Sequence, residues 1–107
     1  MSILESAQIQ STKDIIDYQD GAVVSQTLID KKNGSITLFA FDQNQGLSEH
    51  TAPYEALVQI IDGNAHITIA DNAFDLKPGE MILMPANVPH AVKATSRFKM
   101  MLTMIKS

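Results

Sequence analysis

Gly63-Asn64-Ala65-His66-Ile67-Thr68-Ile69-Ala70-Asp71 alternates with a period of two. Ala65, Ile67 and Ile69 fall on one side, Asn64, His66 and Thr68 on the other, which is the pattern of a strand with one buried face. The same habit continues outward. Upstream, Ser35-Ile36-Thr37-Leu38-Phe39-Ala40-Phe41 is rich in β-branched and aromatic residues and reads as a strand. It is preceded by a second at 23–29. Asp30-Lys31-Lys32-Asn33-Gly34 joins the two, and its Asn-Gly is expected to supply the positive φ angles of a hairpin turn. Further strands are expected at 55–62, 73–76, 80–85, 89–94 and 98–105, with breakers at Asp62-Gly63-Asn64, Asp71-Asn72, Lys77-Pro78-Gly79 and 85–89. Short strands with turn signals about every 8–12 residues make an all-β sandwich or barrel.

At 107 residues the chain makes one domain able to bury a single core. Residues 1–20 are expected to form an N-terminal arm and 21–107 the barrel. Lys13-Asp14-Ile15-Ile16-Asp17-Tyr18 reads as a helical turn or a short strand. Ala56-Leu57-Val58-Gln59-Ile60-Ile61 and Met81-Ile82-Leu83-Met84 are apolar on both faces. A barrel strand turns one face outward, and an apolar outer face needs cover. A homodimer packed sheet on sheet is the favoured cover, with residues 1–20 folding back as the alternative.

Composition excludes several classes. The net charge is -4 and the basic residues are scattered beyond Lys31-Lys32, so no nucleic-acid footprint is expected. The absence of cysteine removes disulfides, thiolate catalysis and Cys-based zinc sites. No apolar run approaches the ~18 residues of a membrane span, and the start of the chain lacks the charged-then-apolar order of a signal peptide. A cytoplasmic location is expected. No phosphate-binding loop, nucleophile elbow or dinucleotide fingerprint occurs.

Two of the three histidines stand at junctions between loop and strand. His50 follows Gly46-Leu47-Ser48-Glu49, and His90 follows Pro85-Ala86-Asn87-Val88-Pro89. Such junctions at a barrel mouth are where ligands settle. His66, on the polar side of its strand, reads as a surface residue. The six methionines read mainly as gap-fillers of the core, with an adaptable pocket lining as the alternative.

The segments 46–63 and 79–90 resemble the two sequence motifs of the cupin superfamily. Gly79, Pro85 and His90 hold the spacing of the second motif, G-x5-P-x-G-x2-H-x3-N, with Asn87 in place of its second glycine and Ala94 in place of its asparagine. Pro53 and Gly63 anchor the first, G-x5-H-x-H-x3,4-E-x6-G. His50 then takes the first histidine position, Ala52 replaces the second histidine and Ala56 replaces the glutamate. Gly46 is out of register, four residues before His50 where the motif has six. A shifted alignment would put Ser48 at the first histidine and use Glu55 as the glutamate.

The resemblance implies a small single-domain jelly-roll barrel whose relatives bind a divalent metal such as Mn, Fe, Ni or Zn through three histidines and a glutamate. Here two of those ligands remain. Two imidazoles hold a borderline metal weakly, and a robust catalytic centre needs a third protein ligand. Glu55 could supply it if a bulge after Pro53 turned it inward, so the expected metal set is His50, His90 and Glu55. Three functions follow: a cupin binding a small molecule in its barrel, with a loosely held divalent metal; a metal-dependent oxygenase or isomerase acting on a small polar metabolite; or a partner-binding scaffold.

Overall fold

A computed structural model describes residues 5–106. It contains a 3-10 turn at Thr12–Asp14 and nine strands: β1 Val23–Lys31, β2 Gly34–Phe41, β3 Gly46–His50, β4 Glu55–Gly63, β5 Ala65–Ile69, β6 Asn72–Leu76, β7 Met81–Met84, β8 His90–Lys93 and β9 Phe98–Ile105. They form two antiparallel sheets, of order β1-β2-β9-β4-β7 and β3-β8-β5-β6. The chain passes between the sheets after β2, β3, β4, β6, β7 and β8, which gives the jelly-roll barrel that the family resemblance implies.

Strand parity decides what lies inside. Ala65, Ile67 and Ile69 are buried while His66 and Thr68 are half-buried, as the period-two pattern requires. Phe41, Val58, Ile60, Val92, Phe98 and Met100 meet them in the core between the sheets. The rings of Phe41 and Phe98 stack with centroids 4.5 Å apart, and burying each such side chain stabilises the fold by about 1.5–3 kcal/mol.

Gly63 closes β4 beside a bulge between Ile60 and Asp62. Its φ is +70°, and a Cβ there would lie 2.1 Å from the carbonyl oxygen of Arg97. Only glycine satisfies both demands.

Two turns differ from the sequence reading. The β1–β2 hairpin turns at Lys32-Asn33, and neither Asn33 nor Gly34 has a positive φ. The left-handed pair lies instead at Ala70-Asp71 (φ 48° and 70°), the two-residue link between β5 and β6. Register imposed by the β5–β6 and β5–β8 pairing overrides the local preference of Ala70. Strand β3 was also unforeseen, because of its five residues only Leu47 is a large apolar side chain.

The N-terminal segment turns helically, in its 3-10 form, and lies on the outer face of the five-stranded sheet. Ile16 is buried against Leu28, Leu38 and Ala40, with Ile15 and Tyr18 alongside. Polar ties hold it there. Tyr18 donates its hydroxyl to Asp62 at 2.7 Å, and Lys99 Nζ donates to the carbonyl of Lys13 at 2.5 Å. Burial, then the Asp62 bond, pushes the Tyr18 phenol well above its ordinary range. Arg97 joins Asp42 and Asp20 by hydrogen bonds of 2.6 and 2.5 Å. Part of the apolar outer face is therefore covered by the chain itself. Among the described residues, no helix is long and apolar enough to cross a membrane.

Candidate functional site

His50 ends β3 and His90 begins β8, and the pairing of these strands sets the two residues opposite each other. Their rings meet edge to face with centroids 4.3 Å apart, and the two Nε2 atoms are 3.0 Å apart. Each Nδ1 is bonded to the carbonyl two residues earlier, His50 to Ser48 at 2.7 Å and His90 to Val88 at 3.2 Å. A carbonyl only accepts, so both Nδ1 atoms carry the proton. In two neutral imidazoles both Nε2 atoms are then left with lone pairs, pointed at each other. The contact is completed only by a further proton, by a donor from a ligand or by a cation.

His90 is buried and His50 exposed. Burial holds the His90 imidazolium below its ordinary pKa range; the nearby His50 adds to this, and the bond to Val88 opposes it. His90 thus favours the neutral ring, whose Nε2 lone pair is available.

Behind the pair lies a cavity of about 50 Å³, walled by Leu47, Ala52, Ala56, Met84, Val92, Met100, Leu102 and Met104. It is far smaller than the ~300–1,000 Å³ of a pocket enclosing a drug-sized ligand. It has room for a few waters, one ion or the head of a larger molecule. Three methionines in the wall make it adaptable, since their unbranched side chains repack at low cost. Met84 and Met100 are core residues as well, so the gap-filling and pocket-lining roles coincide.

Ala52 and Ala56, the positions aligned with the missing histidine and glutamate, both face this cavity. Glu55 does not. It is exposed, one residue before buried Ala56, and β4 runs in unbroken register from Glu55 opposite Ile105 to Ile60 opposite Met100. No bulge turns its carboxylate inward. Among the described residues, no group of three or more His, Cys, Asp or Glu side chains could hold a metal. His66 lies apart on β5, half-exposed and paired with Asp75 at 2.8 Å. The carbonyls of Ser48 and Val88, which orient both rings, leave no side-chain signal in the sequence.

The donor set therefore fits a borderline ion held weakly by two imidazoles, the softer end of the expected Zn, Ni, Mn and Fe group. It lacks the oxygen ligands that Mn favours.

Two antiparallel sheets closed into a jelly-roll, with paired histidines at the mouth, define a small single-domain barrel of the cupin class. The comparisons agree: residues 37–106 match the cupin domain, and the chain belongs to the cupin family. A conserved protein of unknown function from Streptococcus pyogenes is 32% identical, covers 97% of this chain and 91% of its own, and superposes with a TM-score of 0.92. A cupin superfamily protein from Desulfitobacterium hafniense is 28% identical, with 97% and 95% covered and the same TM-score of 0.92. A cupin 2 conserved barrel domain protein from Leptotrichia buccalis is 38% identical over 88% of this chain and 46% of that one, with a TM-score of 0.85. No curated protein matches the chain.

Proposed function

We propose that this cupin binds a small molecule at the barrel mouth, recognising a hydrogen-bond donor or a cation between His50 and His90. One observation carries the reading: the two Nε2 atoms converge at 3.0 Å with both Nδ1 atoms already committed to carbonyls. An ammonium, amide or hydroxyl head would donate to the lone pairs, and a short apolar body would lie against the methionine wall. Ligands too large for the cavity leave their remainder in solvent.

A loosely held divalent ion is the second reading, favoured by the same carbonyl anchoring, since metal-binding histidines usually donate their other ring N–H in this way. His50 and His90 would hold a zinc or nickel ion, which would supply a Lewis acid with open positions. The oxygenase or isomerase alternative requires a third protein ligand, and alanines stand where it would be.

Thermal unfolding of metal-stripped protein, with Zn, Ni, Mn or Fe(II) and with small amines, amides and alcohols, tests both readings. A ligand at a hundred times its Kd stabilises the native state by about 2.7 kcal/mol. Stabilisation that disappears in the His50→Ala/His90→Ala double variant is the expected result. No stabilisation by any of these, or stabilisation that survives in the double variant, removes the pair as the recognition element.

A further inference from the structure

The wall behind the histidine pair carries donors of its own. Three of the chain's six methionines, Met84, Met100 and Met104, meet on this one cavity. Register places two of them. Met84 from β7 and Met104 from β9 both lie opposite Ala56 of β4, one on each side. Ala56 stands where the family motif has its glutamate, so the row that lacks an oxygen ligand carries a thioether on each flank. The short alanine side chain leaves the space between them open. Met100 pairs with Ile60 further along β9 and is buried in the core, where packing accounts for it.

Two imidazoles and two thioethers are a soft donor set. Thioether sulfur selects copper(I), and imidazole suits copper as well as zinc. Charge points the same way. Among the described residues that line the cavity, none is a carboxylate. The cost of burying an ion rises as the square of its charge, and only a paired anion offsets it. A monovalent ion in this wall therefore costs about a quarter of what a divalent one would. The space also suits one ion. Metal–imidazole bonds of ~2.0–2.1 Å at a tetrahedral angle set two nitrogens ~3.3 Å apart. The Nε2 atoms of His50 and His90 are 3.0 Å apart, so a small parting of the rings admits the ion, and a cavity of about 50 Å³ lies behind them.

We propose that His50, His90, Met84 and Met104 form a binding site for copper(I). The proposal rests on the reading of the histidine pair as the recognition element and adds to it the ion and the two sulfur donors. The exposed ring of His50 is the side from which the ion enters, and the methionine side chains repack around it at low cost.

Anaerobic titration of the metal-free full chain with copper(I), against a coloured copper(I) chelator, reads the affinity. X-ray absorption at the copper edge reads the ligands. One copper per chain is expected, with nitrogen and sulfur around it and the sulfur at about 2.3 Å, as in other metal–sulfur bonds. Met84→Leu/Met104→Leu nearly conserves volume, the kind of core change tolerated best. That variant is expected to lose the sulfur signal and to bind copper(I) about a hundred-fold more weakly, with its affinity for zinc unchanged. Should it fail to fold, the sulfur signal of the wild type decides alone. Copper(I) surrounded by nitrogen without sulfur overturns the proposal, as does equal affinity in the folded double variant. A wild type that zinc or an amine stabilises through the pair, and that copper(I) does not bind, overturns the copper site and leaves the pair as the recognition element. A wild type that none of them binds through the pair overturns both.

Discussion

The backbone N–H of Asn87 donates to the carbonyl of Ala52 at 2.7 Å. This bond ties the loop after His50 to the loop before His90, so the two histidines are held across the cavity mouth by backbone as well as by strand pairing. Asn87 makes it from a left-handed conformation, φ 64°. Asparagine tolerates that region better than other residues with a side chain, though less well than glycine.

Asn87→Ala is therefore expected to lower stability by about 1 kcal/mol, near the low end of the left-handed penalty. Asn87→Gly should match the wild type to within a few tenths of that, its better fit offset by the freedom it adds to the unfolded chain. Urea unfolding of the three proteins checks the order. If the alanine variant equals the wild type, the left-handed conformation at residue 87 costs alanine no more than asparagine.

Asn87 also marks how far the sequence could be read. It falls where the second motif has a glycine, and its positive φ meets the demand that a glycine would. Strand parity at Ala65, Ile67 and Ile69, and the pocket-facing positions of Ala52 and Ala56, were likewise legible from alternation and motif spacing. Other features depend on contacts distant in sequence. Glu55 turns outward because Ala56, Val58 and Ile60 take the inner face of β4. The left-handed turn at Ala70-Asp71 is set by pairing rather than composition. The opposed lone pairs of His50 and His90 arise from two main-chain carbonyls. Cover for part of the outer face came from the alternative source, the chain itself: Ile15, Ile16 and Tyr18 lie on it, while Leu83 and Met81 stay exposed.

Asp42 should make the fold sensitive to acid. Its carboxylate accepts the N–H of Gly21 at 2.6 Å and the Nε–H of Arg97 at 2.6 Å. The Gly21 bond first, and then Arg97, lower its pKa from 3.8 to about 2. A pKa depressed in the folded state favours folding once the unfolded group has ionised. The contribution is full well above pH 3.8 and is lost as the pH falls towards 2. Asp42→Asn should be less stable than the wild type at neutral pH, and the two should converge at the acid end. Chemical unfolding at a series of pH values checks this; parallel curves throughout would mean that the ionised form of Asp42 is not what ties Gly21 and Arg97.

The clasp on the N-terminal segment is separately testable. Tyr18→Phe keeps the ring beside Arg97 and Lys99, 5.4 and 4.9 Å from its centroid, and removes only the bond to Asp62. A part-buried bond to a charged acceptor is worth about 1.5–3 kcal/mol, and the low end is expected because solvent reaches Asp62. Hydrogen exchange should rise first in residues 12–20, with the core amides slowed or hastened only by the change in global stability. Uniform loss of protection would show that the segment and the barrel open together.

Ala52 and Ala56 make the metal question answerable by adding ligands instead of removing them. Both face the cavity beside His50 and His90, so Ala52→His and Ala56→Glu together would complete a set of three imidazoles and one carboxylate. A third protein ligand separates a weak site from a robust one. The double variant should bind Zn or Ni at least about ten-fold more tightly than the wild type, or ~1.4 kcal/mol, and should add Mn, which gains an oxygen ligand. The cavity of about 50 Å³ is small for both side chains, so the metal-free variant should be less stable than the wild type and recover stability as metal binds. Calorimetric titration measures the affinity and thermal unfolding the recovery. Wild-type affinity already equal to that of the variant would mean that His50 and His90 are assisted by a donor other than Ala52 or Ala56. No gain in a folded variant would mean that the pair and the two alanine positions do not converge on one ion.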